Sequence, residues 1–170
     1  QGGLSVFAGK PLPDEGIAMA SGLQVAQWVE ARNWHFANPH SSYYLCWQAG
    51  ILSWLNEWKP DALIVEANPR YLSTPLAIRW MRRRGKPVLA WGLRAGRVSG
   101  LLAGARESGR RRFIRQFDGI IAYSRRGAEA YQQLGFPAER IFVAPNAVMP
   151  KPQQPPPPRP EKVESRLNVL

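Results

Sequence analysis

Three side chains near the end of one apolar segment are the first candidates for chemistry. Glu66 lies in the segment Asp61–Ala67, and Asn68 and Arg70 follow shortly after it. An acid that ends an otherwise buried apolar strand needs a partner or a purpose, because burying an unpaired charge is costly. Pairing with Arg70 across a turn is the structural interpretation, and a catalytic carboxylate is the functional one. The residues alone leave both open.

Polar and aromatic side chains also follow three other apolar segments. They are Trp91, Gly92 and Arg94 after Lys86–Trp91, Ser124 at the end of Phe117–Ser124, and Asn146 after Arg140–Pro145. Each has a structural alternative: Trp91 as a core residue, Ser124 as a helix N-cap and Asn146 as a turn residue. Ligands of open α/β sheets bind outside the carboxyl ends of the strands. We therefore expect one polar crevice, suited to hydroxyl-rich and phosphate-bearing ligands.

Other chemistries are poorly served by this sequence. His35 and His40 lie in a stretch that reads as a loop, too isolated for a metal site without further ligands. Cys46 is the single cysteine, and its aromatic and apolar neighbours indicate a packed thiol rather than a nucleophile. No GxGxxG, Walker or GxSxG motif occurs, so the fingerprints of dinucleotide binding, ATP hydrolysis and α/β-hydrolases are missing. The sequence predicts no metal site and no bound cofactor.

The elements that must position these side chains follow one repeated pattern. A short apolar strand ends in turn-forming residues and is followed by a helical pattern, four times in succession. The strands are Asp61–Ala67, Lys86–Trp91, Phe117–Ser124 and Arg140–Pro145. Continuous apolar runs are typical of strands buried on both faces of a parallel sheet. The pattern predicts an α/β fold: a Rossmann-like, doubly wound, mostly parallel sheet flanked by helices.

The sequence also predicts where helices begin and end and which of their faces are apolar. One stripe at steps of three and four contains Trp47, Ile51, Trp54, Leu55 and Trp58, and Pro60 stops that helix. Ser73 or Thr74 can cap the second helix, and Ser124 can cap the fourth. Residues 4–8 form a strand-like run, residues 9–23 read as a loop, and a weaker strand candidate covers 23–29.

The amino-acid composition of the chain changes past residue 148. Half of its 16 prolines lie between Pro145 and Pro160, and such a stretch tends to form a semi-rigid polyproline II linker. Apolar residues resume at Val163 and continue to Leu170. We expect a second domain to begin there, so that residues 1–170 are a fragment of a longer protein.

Positive charge is concentrated in one block. The formal net charge is +11, and residues 79–126 hold 14 Lys and Arg against 2 acids. The basic side chains of the third predicted helix are Arg106, Arg110, Arg111, Arg112 and Arg115. Together with Phe113, Ile114 and Phe117 they predict a basic amphipathic element, which is typical of anionic membrane surfaces. Nucleic acid is disfavoured, because no helix-turn-helix, zinc-finger, RRM-like or KH-like signature occurs.

Localisation follows from the same composition. A single cysteine indicates a reducing compartment. No run approaches the roughly 18 uninterrupted apolar residues that a membrane-spanning helix needs. We expect a cytoplasmic protein, with the basic block as a peripheral contact to the inner face of the membrane.

The ordered set of strand ends resembles the N-terminal domain of glycosyltransferase family 4 enzymes of the GT-B fold. The resemblance is strongest over 117–148, where a strand ending in Ser, a helix and the run RIFVAPNAV occur in the family's order. It implies transfer from a nucleotide-sugar donor to a saccharide or lipid-linked acceptor, usually with retention and without an essential metal. Residues 1–148 would be the acceptor-binding domain lacking its first strand, 149–162 the hinge, and 163–170 the start of the donor domain.

The resemblance also implies roles for single residues. Glu66 would be catalytic, Asn68, Arg70, Gly92, Arg94 and Ser124 would lie in the acceptor cleft, Trp91 would be a platform for a sugar, and Asn146 would lie near the donor. Two departures are present: Ala147 replaces the family's usual Gly, and Glu66 stands near where many members carry His. Residues 1–170 alone are expected to be inactive, because the family's donor-domain carboxylates are missing. The alternative is a non-catalytic basic module that binds anionic lipid or nucleic acid.

Overall fold

A computed structural model gives the fold of residues 3–12, 22–38, 41, 43–93 and 103–145. The strands are β1 (Ser5–Ala8), β2 (Gln27–Glu30), β3 (Arg32–Phe36), β4 (Leu45–Ala49), β5 (Leu63–Glu66), β6 (Val88–Gly92), β7 (Gly119–Ala122) and β8 (Ile141–Val143). The helices are α1 (Ile51–Trp58), α2 (Thr74–Arg82), α3 (Ala103–Ile114) and α4 (Arg125–Gln133), with a short 3-10 turn at Ala138–Arg140. The predicted linker and second domain, 149–170, lie outside the described residues.

A four-stranded parallel sheet is the centre of the fold. Its order is β5-β6-β7-β8, so each strand pairs with the next one along the chain. α2 connects β5 to β6, and α4 connects β7 to β8. All four predicted strands are present, and the predicted Rossmann-like α/β fold with a parallel sheet flanked by helices is confirmed.

The core lies between one face of this sheet and the helices. The buried sheet residues are Leu63, Val88, Ala90, Ile120 and Ala122, and they form one cluster with Leu55, Ile78, Met81, Ile114 and Tyr131 from the four helices. Side chains on the opposite face alternate with the buried ones, and Ile64 and Phe142 are 53% and 57% exposed. Burial on both faces was predicted from the continuous apolar runs, but within the described residues only one face is covered.

Two smaller sheets precede the main one. β1 pairs with β2 in parallel, and β3 pairs with β4 in antiparallel. The loop predicted around His35 is wrong, because His35 lies on β3 with an alternating burial pattern. Trp47 lies on β4 rather than on the predicted first helix, which begins at Ile51 after Gly50 adopts a positive φ of 88°.

The N-cap predicted for the fourth helix is found, whereas the one predicted at Ser73 for the second helix makes no capping hydrogen bond. Ser124 Oγ accepts from the Gly127 N–H at 3.0 Å, which makes Ser124 the N-cap of α4. Gly85 and Gly135 have positive φ after α2 and α4, where a residue without Cβ is favoured. Ser73 precedes α2 without capping it, because its Oγ accepts from the Gln48 N–H at 3.2 Å. This bond ties β4 to the start of α2.

Candidate active site

Glu66 is at the carboxyl end of β5, and its side chain is exposed. Its partner is Asn68 rather than Arg70: Asn68 Nδ2 donates to Glu66 Oε1 at 3.3 Å. The Asn68 N–H donates to the Glu66 carbonyl at 2.7 Å, and Asn68 Oδ1 accepts from the Arg70 N–H at 3.1 Å. The alternative in which Glu66 is neutralised by Arg70 is therefore not found. A carboxylate oriented by one amide remains open to a ligand.

The turn that contains Asn68 and Arg70 is hydrogen-bonded to the backbone of β4. The Cys46 N–H donates to the Arg70 carbonyl at 2.9 Å, and the Cys46 carbonyl accepts from the Leu72 N–H at 2.8 Å. The thiol itself is fully buried, and burial raises its pKa. A hydrogen bond with Tyr44 opposes this rise, and the nearby negative charge of Glu66 adds to it. Cys46 therefore supports the turn as a packed residue, as predicted, and is a poor nucleophile.

Two aromatic rings lie beside Glu66 on the same side of the sheet. Trp91 is paired with Glu66 in register, and its ring meets Tyr123 edge to face with centroids 5.1 Å apart. Trp91 is 42% exposed, so its alternative as a core residue is wrong. Burial raises the pKa of the Tyr123 hydroxyl, and the charge of Glu66 raises it further, which keeps that hydroxyl neutral.

Residue 92 must be a glycine because neighbouring side chains leave no room for a Cβ atom. A Cβ at this position would lie 2.6 Å from the Tyr131 hydroxyl oxygen and 2.9 Å from Ala67 Cβ. Tyr131 is buried, and burial raises its pKa, with the positive charge of Arg110 opposing that shift. The hydroxyl of Tyr131 thus reaches the carboxyl edge of the sheet from α4.

The remaining predicted cleft residues have different positions. Ser124 follows β7 at the same edge, but its hydroxyl is engaged as the N-cap, so the structural alternative is the one found. Arg70 is exposed beside the turn that Asn68 forms. Arg94 and Asn146 lie outside the described residues. The structure therefore brings together Glu66, Asn68, Trp91 and Gly92.

The apolar side of α3 does not reach the surface. Phe113, Ile114 and Phe117 are buried in the core at 7%, 2% and 3% exposure, so the prediction that they give this helix an exposed apolar face beside its arginines is wrong. The basic side chains Arg106, Arg111, Arg112 and Arg115 are exposed. Arg110 is half-buried, lies 3.7 Å from Glu107 and is close enough to Tyr131 to affect its pKa. Only electrostatic contact with an anionic surface remains available to this helix.

Metal-ligating groups are scattered. Within the residues that the structure describes, no three His, Cys, Asp or Glu side chains lie close enough to hold a metal ion. His35 Nδ1 is hydrogen-bonded to the Tyr44 hydroxyl at 2.7 Å. His40 lies outside the described residues. Among the described helices, none has both the length and the apolarity needed to cross a membrane.

Two contributors to the site were missed by sequence reasoning. Tyr131 was not among the predicted site residues, and Arg110 was assigned only to the basic side chains of the third helix. A glycine ending a strand one residue after Trp91 was the available signal, because a glycine there often marks a close approach by another group. Which helix supplies that group could not be read from spacing alone.

The fold and this edge of the sheet define a Rossmann-like α/β domain whose polar groups gather at the strands' carboxyl ends. The sequence profile of the glycosyl transferase 4-like domain matches residues 5–147. The chain belongs to this glycosyltransferase family, which confirms the resemblance drawn from the strand ends. Searches among curated proteins and among solved structures gave no match. The family implies a sugar donor and an acceptor as substrates.

Proposed function

We propose that this domain binds the acceptor of a nucleotide-sugar-dependent glycosyltransferase, which transfers a sugar with retention to a saccharide or lipid-linked acceptor. The observation that carries the proposal is the pairing of Glu66 with Trp91 at the carboxyl edge of a domain of this family. A carboxylate beside a half-exposed aromatic ring suits a hydroxyl-rich ligand, because one group accepts hydrogen bonds and the other packs against the sugar ring.

The proposed reaction is a displacement at the anomeric carbon of the donor through an oxocarbenium-like state, with the acceptor hydroxyl entering on the face from which the diphosphate leaves, so that the configuration is retained. A bond forms between the acceptor hydroxyl oxygen and that carbon, the bond to the nucleotide diphosphate breaks, and the diphosphate leaves with the bonding electron pair. The hydroxyl proton passes to an oxygen of the departing diphosphate as the new glycosidic bond forms. Glu66 orients the hydroxyl and stabilises the positive charge that builds on it, while Trp91 holds the acceptor ring.

The proposed reaction also assigns roles to the other parts of the chain. Residues 163–170 would begin a donor domain that neutralises the phosphate charge, and 149–162 would be the hinge. Arg94, Arg70 and Asn146 would complete the cleft on the side facing that domain. No metal or other cofactor is proposed, and the residues 1–170 alone would not turn over. The enzyme would be cytoplasmic and peripheral at the inner face of the membrane.

Replacing Trp91 by Ala should weaken acceptor binding without changing donor binding. Loss of the ring removes the surface on which the acceptor packs, so we expect the acceptor KM of the full-length enzyme to rise about tenfold. The measurement is release of nucleotide diphosphate at varied acceptor and donor concentrations. Trp80→Ala is the matched control, because Trp80 lies on α2 against Arg84, remote from the site. An unchanged acceptor KM would remove Trp91 from the proposed cleft.

The basic block favours a second candidate, a non-catalytic module that binds anionic lipid or nucleic acid. Because the apolar side chains of α3 are buried, lipid binding should be purely electrostatic. We expect the protein to float with anionic vesicles at about 50 mM salt and to be released at about 500 mM. Arg111→Glu with Arg112→Glu should abolish flotation. Retention of RNA without flotation would support nucleic acid instead, and an acceptor-dependent release of nucleotide diphosphate would exclude a purely non-catalytic module.

A further inference from the structure

The hairpin formed by β3 and β4 has its apolar side turned outward. Its strands are antiparallel, with Trp34 opposite Trp47 and Phe36 opposite Leu45. These four side chains share one face of the hairpin, because side chains alternate between the two faces along each strand. Their exposed fractions range from 37% to 50%. We refer to these four residues as the outer face of the hairpin.

The opposite face of the hairpin is mostly polar and packs on the domain. Its residues are buried or half-buried: Asn33, His35, Cys46 and Gln48. A Cβ at Gly9 would overlap the Asn33 side chain, so this face lies directly against the end of β1. Antiparallel sheets usually bury the apolar face and expose the polar one, so the hairpin is reversed. A contiguous apolar patch left exposed in this way marks an interaction surface.

The indole N–H groups distinguish the outer-face tryptophans from those that hold the fold together. Three tryptophans donate through Nε1 to protein oxygen atoms at 2.8–3.1 Å: Trp28, Trp54 and Trp80. Within the part of the chain that the structure describes, Nε1 of Trp34 and Nε1 of Trp47 have no hydrogen-bond partner. Amphipathic rings with a free donor suit the headgroup region of a bilayer, where carbonyl and phosphate oxygens accept hydrogen bonds.

The charges around the hairpin favour an anionic surface. Residues 31–56 contain no Asp or Glu, and Glu30 just before them is paired with Lys10 at 3.0 Å. Arg32 is exposed, and its guanidinium carbon lies 5.2 Å from the centroid of the Trp34 ring. A guanidinium over an aromatic ring can reach a phosphate group while its stem covers apolar surface. The outer face is therefore apolar with a cation at its border, and no carboxylate of this stretch repels lipid phosphate.

We propose that the β3–β4 hairpin docks on an anionic membrane surface through its outer face. Trp34 and Trp47 would lie at the depth of the lipid headgroups, and Arg32 would contact the phosphates. Aromatic insertion and the exposed arginines of α3 supply two signals, and stable peripheral binding usually needs two. This inference names the surface for the peripheral membrane contact in the proposed function, and it rests on that part of the proposed function alone.

The hairpin is fixed next to the candidate active site. β4 is hydrogen-bonded through Cys46 to the turn that contains Asn68 and Arg70. The Gln48 N–H donates to Ser73 Oγ at 3.2 Å, which fixes β4 at a second point. Docking through the outer face would therefore bring the acceptor site close to the bilayer. A lipid-linked acceptor presents its sugar at that surface, so the inference favours a lipid-linked acceptor over a soluble saccharide.

Other occupants fit the outer face less well. A saccharide needs donors and acceptors, whereas the side chains of Phe36 and Leu45 have neither and the indoles only donate. A two-fold interface with a second copy would bring the same surface of each chain together, so Arg32 would meet a cationic stretch without carboxylates. An anionic bilayer surface accommodates the rings, the indole N–H groups and the guanidinium together.

Quenching of tryptophan fluorescence by brominated lipid tests the proposal on the full-length protein. The probe is a vesicle of equal parts phosphatidylcholine and phosphatidylglycerol, brominated on the acyl chains near the headgroups, at about 50 mM salt. Lipid should quench part of the fluorescence. The double variant Trp34→Phe with Trp47→Phe keeps the face apolar but removes its indoles, so the quenching should disappear. Trp80→Phe is the matched control and should leave the quenching unchanged, because that indole is bonded to Asn56.

A second double variant measures the contribution of the two rings to binding. Trp34→Ser with Trp47→Ser should weaken vesicle binding about tenfold with little change in Tm, because both side chains are exposed. Phe142→Ser is the matched control: Phe142 is an exposed aromatic residue on β8, at the edge of the main sheet opposite β5, and its loss should leave binding unchanged. Release of nucleotide diphosphate with a detergent-solubilised acceptor should be unaffected by the double variant, so a failure of docking is distinguishable from a failure of the proposed reaction.

Four results would overturn the proposal. The first is failure to bind the vesicles. The second is binding without quenching, which would leave only the electrostatic contact of α3. The third is quenching that persists after Trp34→Phe with Trp47→Phe, which would place another tryptophan in the bilayer. The fourth is protection of Trp34 and Trp47 from acrylamide in the absence of vesicles, which would show that the rest of the chain or a second copy covers the outer face.

Discussion

Replacing Glu66 by Gln should lower the turnover of the full-length enzyme about 100-fold, with little change in the acceptor KM. The amide retains an oxygen that can accept the acceptor hydroxyl's hydrogen bond, so binding is largely kept. It lacks the negative charge that stabilises the positive charge building on the hydroxyl oxygen in the transition state, so the chemical step is slowed. Initial rates of nucleotide diphosphate release at saturating donor measure both constants.

Glu129→Gln is the control for this substitution. Glu129 is an exposed carboxylate on α4, so the same change of charge should leave turnover unaltered. Asn68→Ala supplies a second comparison, since it removes the amide that donates to Glu66 Oε1 and should lower turnover less than the loss of the carboxylate. Wild-type turnover of Glu66→Gln would remove Glu66 from the mechanism.

Gly92→Ala should destabilise the domain by about 2 kcal/mol, a fall in Tm of roughly 4–8 °C. The new methyl would overlap the Tyr131 hydroxyl at 2.6 Å and Ala67 Cβ at 2.9 Å; Tyr131 is buried, and Ala67 packs partly buried against the core. Thermal unfolding followed by circular dichroism measures the shift. Gly104→Ala is the matched control of opposite sign, because nothing lies within 4 Å of a Cβ there and Ala is the better helix former.

A double substitution separates the two overlaps. Tyr131→Phe removes the hydroxyl but keeps the ring, so Gly92→Ala should cost less in that background than in the wild type. An equal cost in both backgrounds would show that the hydroxyl is not the obstacle at residue 92.

Most of the main sheet could be predicted from the sequence, because the residue patterns that indicate its strands and caps are local. Apolar runs bounded by Gly, Pro and Ser predicted β5 to β8, and an N-cap at Ser124 depends only on the residue three positions later. The strand at His35 was missed because its pairing partners Tyr44 and Cys46 follow a stretch of sequence rich in polar residues and Pro, which read as a loop. Trp47 of the β3–β4 hairpin was assigned to the apolar stripe of the first helix, because its spacing from Ile51 also fits a helix.

The location of the site could be predicted from the sequence, but only some of the contacts between its side chains could. The rule that strand ends gather at one edge correctly brought Glu66 and Trp91 together. Whether Glu66 meets Arg70 or Asn68 depends on how the turn folds on Cys46, and that is set by β4, some 20 residues earlier. The basic helix was misread because Phe113 and Ile114 suit a membrane and a protein core equally well, and only packing decides between them.

The sequential strand order has a consequence for how the chain acquires its structure during synthesis. Paired residues lie roughly 20 to 30 positions apart, as Leu63 with Val88 and Leu89 with Gly119. Each new strand therefore leaves the ribosome with its neighbour already made, and contacts that close short loops form quickly. The main sheet can form one strand at a time from β5. If translation pauses, the strands already synthesised can be paired, and the last of them forms the edge to which the next strand adds.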